Sequence, residues 1–301
     1  MFRRQIATAS IAALIASGAV LGAGPALAAP GKGSQKTTDV TVMSFNIHYG
    51  ADGDNVFDIE RTASVIEDSG AEIIGLQEVD NHWGARSDFL DEAEWLAERL
   101  DMHVVYGANL DEPPLPGDTD NRQYGTAILS EYPIISSENH LLTNIAYEEQ
   151  PTEQRGLLEA VVNVRGNHIA FYSTHLDFQR EEQRALQVQE IIDITGTSKR
   201  PAVIVGDLNA TPDAPELQPL FSVFTDTFAA LGQNEDYTFG PDLEGLPGSG
   251  SVENPSLRID YILTGRGATA TSAKVIHTTA SDHLPIVAEL SITKTPNGKV
   301  K

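Results

Sequence analysis

Six times between Val40 and Thr293 a short apolar run stops at a carboxylate, an amide or an imidazole, and this recurrence limits the fold more than any other feature of the chain. The endings are Asn46, Glu78, His175, Asp207 with Asn209, Asp260, and Asp282 with His283. Ile73-Ile74-Gly75-Leu76 and Val203-Ile204-Val205-Gly206 have the length and composition of buried strands. Val40 to His48 alternates apolar and polar residues, as a strand with one buried face does. Val104 to Tyr106, Tyr124 to Leu129, Leu157 to Val164, Ile169 to His175, Arg258 to Leu263 and Pro285 to Thr293 complete the set of expected strands. Taken singly, an Asn or Asp after a strand is ordinary turn chemistry. Taken together, the endings offer carboxylates, amides and two histidines, and a carboxylate buried beside a strand is costly unless it is paired or holds a metal. If the strand ends converge, the set suits metal-assisted hydrolysis of a phosphate ester: a cation polarises a phosphoryl oxygen, histidines handle protons or charge, and an Asp aims a water.

Helical patterns separate the strands. Asp58 is placed to cap a helix whose Ile59, Ala63 and Ile66 share one side. Asp88 is expected to open a second helix with Ala93, Leu96, Ala97 and Leu100 facing inward. Gln179 to Thr195 is the longest helical pattern, with Leu186, Ile191 and Ile194 marking its buried side. Asp111 to Arg122 and Asn234 to Pro255 read as loops. Alternating helices and strands with hairpin-like pairs between them predict an α/β sandwich with its helices outside. Neither a repeat nor a linker interrupts residues 40–293, so one domain is expected there, followed by a C-terminal tail, 294–301.

Ahead of that domain, Arg3 and Arg4, the apolar stretch Ile11 to Leu21 and the Ala26-Leu27-Ala28 site form a signal-peptide pattern over residues 1–28, with a flexible tail over 29–39. Its apolar core is too short for a comfortable membrane span, so secretion is expected, by a general or twin-arginine route. The chain has no cysteine. Any metal must therefore be held by oxygen and nitrogen donors, which suits a hard cation. The formal charge of −23 falls to near −25 when Arg3 and Arg4 are removed with no acid. Repulsion at long range then disfavours duplex DNA or an anionic membrane as a tightly held partner, although bound cations and a local basic patch reverse the sign at a site.

Ser44-Phe45-Asn46-Ile47, Leu76-Gln77-Glu78-Val79, Ser173-Thr174-His175-Leu176, Gly206-Asp207-Leu208-Asn209, Arg258-Ile259-Asp260-Tyr261 and Ser281-Asp282-His283-Leu284-Pro285 resemble, in order, the motifs of the DNase I-like endonuclease/exonuclease/phosphatase superfamily. The resemblance runs over the whole of residues 40–293. It implies a four-layer α/β sandwich, two mixed β-sheets face to face with helices outside. It implies a Mg²⁺ site, with Mn²⁺ or Ca²⁺ as alternatives, at Glu78, Asn46 and Asp282. It casts His283 as the catalytic histidine oriented by Asp260, and Asp207 as the residue that positions or deprotonates water. Asn209 would help hold the phosphate, and His175 would be a phosphate contact or proton donor. Arg155 stands where relatives often carry an arginine near substrate; an ion-paired surface arginine is the alternative. Tyr124 occupies a family-like strand start that core packing explains equally well.

The motifs specify a reaction rather than a substrate. Gly75-Leu76-Gln77-Glu78-Val79, and the Thr174-His175-Leu176 strand followed by a long helix, are similar to secreted bacterial members and to phosphodiesterase-like domains linked to inositol lipids and glycosylphosphatidylinositol. That similarity points to a lipid-derived phosphoester, with inositol lipid or sphingomyelin as models, and acidity favours a small or single phosphodiester over duplex DNA. An extracellular nuclease is the second reading, weakened by the lack of a basic patch. A non-catalytic or toxin-like binding module is the third, and it conflicts with a fully retained catalytic set. Transient contact with a membrane surface would show as exposed aromatics near Asn234 to Asn254, where Tyr237 and Phe239 stand. No obligate protein partner is indicated.

Overall fold

The computed structural model describes residues 36–149, 151–240, 252 and 254–294. The expected signal segment, most of the expected N-terminal tail and the expected C-terminal tail after Lys294 lie outside the described residues, as do residues 241–251 and 253 of the second expected loop. The first half of the chain contributes β1 (Thr37–Asn46), α1 (Ile59–Ser69), β2 (Ile73–Asn81), α2 (Glu92–Leu100), β3 (His103–Glu112), β4 (Arg122–Ser130) and β5 (Ile134–Leu141). The second half adds β6 (Gly156–Val164), β7 (Asn167–His175), α3 (Glu181–Gly196), β8 (Ala202–Asp207), α4 (Gln218–Phe221), β9 (Thr225–Asp226), α5 (Thr227–Ala230), β10 (Asp260–Thr264), β11 (Ala268–Val275) and β12 (Ile286–Thr293).

These strands build two six-stranded sheets, ordered β11-β12-β1-β2-β4-β3 and β5-β6-β7-β8-β10-β9. Each is mixed: β1 runs parallel to β2, β7 runs parallel to β8, and the other pairs are antiparallel. Alternation along the strands explains the layering. Val40 and Val42 of β1 meet Phe171, Val203, Val205 and Ile262 in the core between the sheets. The opposite parity, Met43 and Phe45 with Ile74 and Leu76, packs against Ile59, Ala63 and Ile66 of α1 and Ala93 and Leu96 of α2. On the other side, Tyr172, Ile204 and Leu263 pack against Val188 and Ile191 of α3 and Leu220 of α4. The result is the expected four-layer α/β sandwich.

Where expectation and structure differ, local physics accounts for it. β1 starts at Thr37, so Thr37–Asp39 of the expected tail pair with β12. α2 is capped by Asp91, whose side chain accepts from Glu94 N, whereas Asp88 ends a 3-10 turn in the left-handed region at φ 52°. Leu186 is 45% exposed. The buried face of α3 begins with Gln183 and Gln187, whose amides bond Ile145 N, Thr143 O and Asp177 N. Strands β5 and β11 escaped the sequence reading because their side chains are mostly solvated and polar, so no apolar alternation marks them.

Candidate active site

The inward-facing residues of four strands change character in step as they leave the core. In β1 the series is Val40, Val42, Ser44, Asn46; in β7 it is Ile169, Phe171, Ser173, His175; in β8 it is Val203, Val205, Asp207; β10 carries Ile262 and then Asp260. A polar layer closes the apolar core: Gln77 Nε2 donates to Ser173 Oγ across the sheets at 3.0 Å, and Ser173 donates to Leu76 O at 3.2 Å. Just beyond it, strand register lines up three functional residues. His175 pairs with Asp207, and Asp207 pairs with Asp260, so one rung crosses β7, β8 and β10.

Glu78 arrives by a different device. Between Leu76 and Val79 the β2–β4 ladder carries a bulge, and Glu78 sits at φ 57°. The extra residue returns Val79 to the outer face with Leu76 and frees the Glu78 side chain to accept a 2.9 Å bond from Asn46 Nδ2. A non-glycine residue held at that φ stores backbone strain, which gathers at functional sites. The segment before β12 then folds over the end of β1: Ser281 Oγ donates to Asn46 O at 2.8 Å, and His283 N donates to Ser281 Oγ at 3.1 Å. This brings in Asp282 and His283.

Asp207 lies at the centre. Its Oδ2 accepts from Asn46 Nδ2 at 3.1 Å and lies 3.6 Å from Nε2 of both His175 and His283. Burial raises the Asp207 carboxyl and the Asp260 charge adds to the effect; His283, the Asn209 N–H and the Asn46 amide oppose them, leaving Asp207 pushed up to about 7. His283 would be lowered by burial, but the Asp260 and Asp207 carboxylates outweigh this and hold it well above its ordinary 6.5. Its Nδ1 donates to Asp260 Oδ2 at 2.9 Å, and the Phe239 ring lies 4.6 Å away. Burial, the Arg155 charge and His283 all push His175 the other way, well below 6.5. Asp282 is raised by burial, against His283 and His48, with Glu78 adding to the rise.

The expected site residues meet at this end of the sandwich, Arg155 through its contact with His175. Arg155 is 2% exposed and lies behind His175, with Nη1 3.0 Å from His175 Nδ1 and Nη2 bonded to Glu153, so it is ion-paired but buried rather than at the surface, and its guanidinium meets His175. Asn209 spends one amide hydrogen on Leu176 O, and its backbone N–H bonds Asp207 Oδ1. Tyr124 is buried, with the Arg86 guanidinium 5.5 Å from its ring. Phe239 packs on His283, whereas Tyr237 is exposed. His48 was missed: its ring lies 3.7 Å from Asp282 and its N–H bonds Asn46 Oδ1. Its position two residues beyond Asn46 was the available signal.

This set of donors fits a hard divalent cation. Asp207, Asp260 and His283 offer ligand atoms within 4.8 Å of one another, and Asp260 Oδ1 is a buried oxygen with no bonding partner among the described residues. Glu78 and Asp282 bring a second pair of carboxylates beside Asn46, and this group, not the Asp207–Asp260–His283 cluster, is the ligand set the motifs imply. Asn46 presents its amide nitrogen to Glu78 and Asp207, and its oxygen to His48 N.

Two packed sheets with this group of acids and histidines at one end define a DNase I-like sandwich. The family model described as the Endonuclease/Exonuclease/phosphatase family matches residues 43–283, and the chain belongs to that family. Protein cwh43 of Schizosaccharomyces pombe is 29% identical over 167 residues, 55% of this chain but only 16% of that protein. An endonuclease/exonuclease/phosphatase from Beutenbergia cavernae superposes with a TM-score of 0.66 at 24% identity, covering 86% of this chain and 73% of its own. A mannosyl-6-phosphatase from Bacteroides thetaiotaomicron gives 0.62 at 17% identity, with 83% and 99% covered. The human Nocturnin catalytic domain with bound sulfate gives 0.58 at 20%, with 88% and 100% covered. At these identities the structural likeness is one of fold.

Proposed function

We propose that the chain is an exported, divalent-cation-dependent phosphoesterase acting on a lipid-derived or small phosphate ester. The observation that carries this reading is the centring of Asn46, His175 and His283 on one buried carboxylate oxygen of Asp207. Glu78, Asp282 and the Asn46 amide oxygen would hold the cation, which when bound would supply positive charge to the phosphate ester. Asp207, poised about 7, takes the proton of the attacking water. His283, kept positive by Asp260, faces the charge that develops on phosphorus-bound oxygens. Asn209 steadies Asp207 through its backbone N–H and borders the phosphate.

The family match and a phosphatase among the structural neighbours support ester hydrolysis. The charge of −23 supports a single small ester over duplex nucleic acid. Export rests on the signal-peptide pattern, and transient surface contact on the exposed Tyr237. The test is hydrolysis by the mature chain of phosphatidylinositol, sphingomyelin, soluble phosphoesters, RNA and plasmid DNA, each with Mg²⁺ and with EDTA. Mg²⁺-dependent turnover of a lipid or small ester is expected. Turnover of nucleic acid alone would replace the substrate reading by a nuclease, and EDTA-resistant turnover would remove the cation.

A further inference from the structure

His175 and His283 point Nε2 at the same Asp207 oxygen from the same 3.6 Å, yet their other nitrogens meet opposite partners. Behind His283 is a carboxylate, Asp260, at 2.9 Å from Nδ1. Behind His175 is a guanidinium, Arg155 Nη1, at 3.0 Å from Nδ1. A carboxylate accepts, so His283 Nδ1 must carry hydrogen. A guanidinium donates and has no acceptor, so His175 Nδ1 must keep its lone pair. With Nδ1 bare, a neutral imidazole carries its one hydrogen on Nε2, the nitrogen that faces the site.

Arg155 is itself fixed. It is fully enclosed, its Nη2 is anchored 3.0 Å from Glu153 Oε2, and its backbone carbonyl accepts from Leu142 N at 2.9 Å. The guanidinium therefore cannot turn out to meet a substrate without leaving its own pairing. The sequence left His175 open as a phosphate contact or a proton donor; the partner at Nδ1 distinguishes the two, because a ring that must keep Nδ1 bare has no second proton to give away.

We propose that Arg155 is a positioning residue that locks His175 as the Nε2–H tautomer, so that His175 meets a phosphoryl oxygen as a hydrogen-bond donor and not as a general acid. The donor role rests on the phosphoesterase reading; the tautomer does not. No bond is made or broken at His175 in this scheme, and its proton stays on Nε2 throughout.

The experiment is long-range ¹H–¹⁵N correlation NMR on the labelled mature chain at pH 7.5 with Mg²⁺, with His175 assigned by the signals lost in His175→Gln. Wild type should show a pyridine-type Nδ1 and a pyrrole-type Nε2 at His175. Arg155→Met should lose that pattern, and kcat on bis(p-nitrophenyl) phosphate should fall roughly 10–100-fold with KM near wild type. Arg155→Lys, which also only donates, should keep the tautomer. A protonated Nδ1 in wild type overturns the proposal, and so does an unchanged tautomer in folded Arg155→Met. Where Arg155→Met does not fold, wild type and Arg155→Lys decide: a pyridine-type Nδ1 in both supports it, and a protonated Nδ1 in either overturns it. If no phosphoester is turned over, the phosphoesterase reading fails while the tautomer is still settled by the spectra.

Discussion

Gly75 lies where the two sheets approach too closely for any side chain. A Cβ built there would stand 2.2 Å from Val205 Cγ2 and 3.1 Å from Ser173 Oγ. Ordinary contact is more than an ångström longer, so Gly75→Ala must push the sheets apart or force Val205 from its rotamer. Val205 cannot yield cheaply. It is fully buried in the intersheet core, and a β-branched side chain in a strand has few χ1 choices. Overpacking of this kind costs about 1–3 kcal/mol. For a domain of this size each kcal/mol lowers Tm by about 2–4 °C, so a fall of roughly 2–12 °C is expected.

The assay is thermal and urea unfolding of wild type, Gly75→Ala, Val205→Ala and the double variant. Val205→Ala alone leaves a cavity and destabilises. In the double variant the new methyl occupies space the valine vacated, so the losses should fall short of additive by about 0.5–3 kcal/mol. An unchanged midpoint in Gly75→Ala would refute the reasoning, and so would strictly additive losses. Activity should drop as well, because Ser173, the other neighbour of that Cβ, holds Gln77 directly beneath the site.

Three further outcomes follow from other contacts. Asp260→Asn should lower kcat/KM by roughly 10²–10⁴, and adding it to His283→Ala should cost little more; independent losses would mean that the 2.9 Å pair does not act as a unit. Asp226→Asn keeps the cap on α5 but leaves buried Arg258, now 2.7 Å from Asp226, without its counter-charge; unfolding free energy should fall by about 3–5 kcal/mol, and a loss below 1 would refute the pairing. Glu92 is buried, its Oε1 has no partner among the described residues, and burial, then the Asp80 charge, holds its carboxyl well above 4.5. Its protonated form is the stable one, so its contribution is full below 4.5 and lost as pH rises through the raised value. Glu92→Gln should therefore flatten the decline in stability measured from pH 5 to 8, and parallel curves would contradict the shift.

Much of the site was legible because most of its residues obey strand parity. Asn46, His175, Asp207 and Asp260 continue inward-facing rows, so a run of apolar residues ending in a polar one already names them. Glu78 is the exception. Strict alternation would send it outward with Ile74 and Leu76, and only the bulge after Leu76 turns it in; nothing in Leu76-Gln77-Glu78-Val79 read alone announces an inserted residue. Arg155 was harder to place for a related reason. Sequence shows a charge, but not whether burial will give it to a ligand or to a neighbouring ring, and here the ring takes it. Asp88 and Leu186 were misplaced by rules of capping and periodicity that neighbouring Asp91 and the buried amides of Gln183 and Gln187 satisfied instead.

The charges gathered at the site bear on the cation directly. Glu78, Asp207, Asp260 and Asp282 bring four carboxyl groups to one end of the sandwich, against the His283 imidazolium and an Arg155 already shared with Glu153. Alone, this surplus of negative charge repels the phosphate it is proposed to cleave. A divalent cation reverses the local sign, so phosphate and cation should bind as coupled ligands. Titration calorimetry with inorganic phosphate should show at least about a tenfold gain in affinity, about 1.4 kcal/mol, when Mg²⁺ replaces EDTA. Reciprocity requires phosphate to tighten Mg²⁺ by the same factor. Glu78→Gln should shrink both effects together, since it removes charge while keeping shape. Phosphate binding indifferent to Mg²⁺ would show that the anion is held by the protein's own donors, and the cation would then have no place in substrate capture.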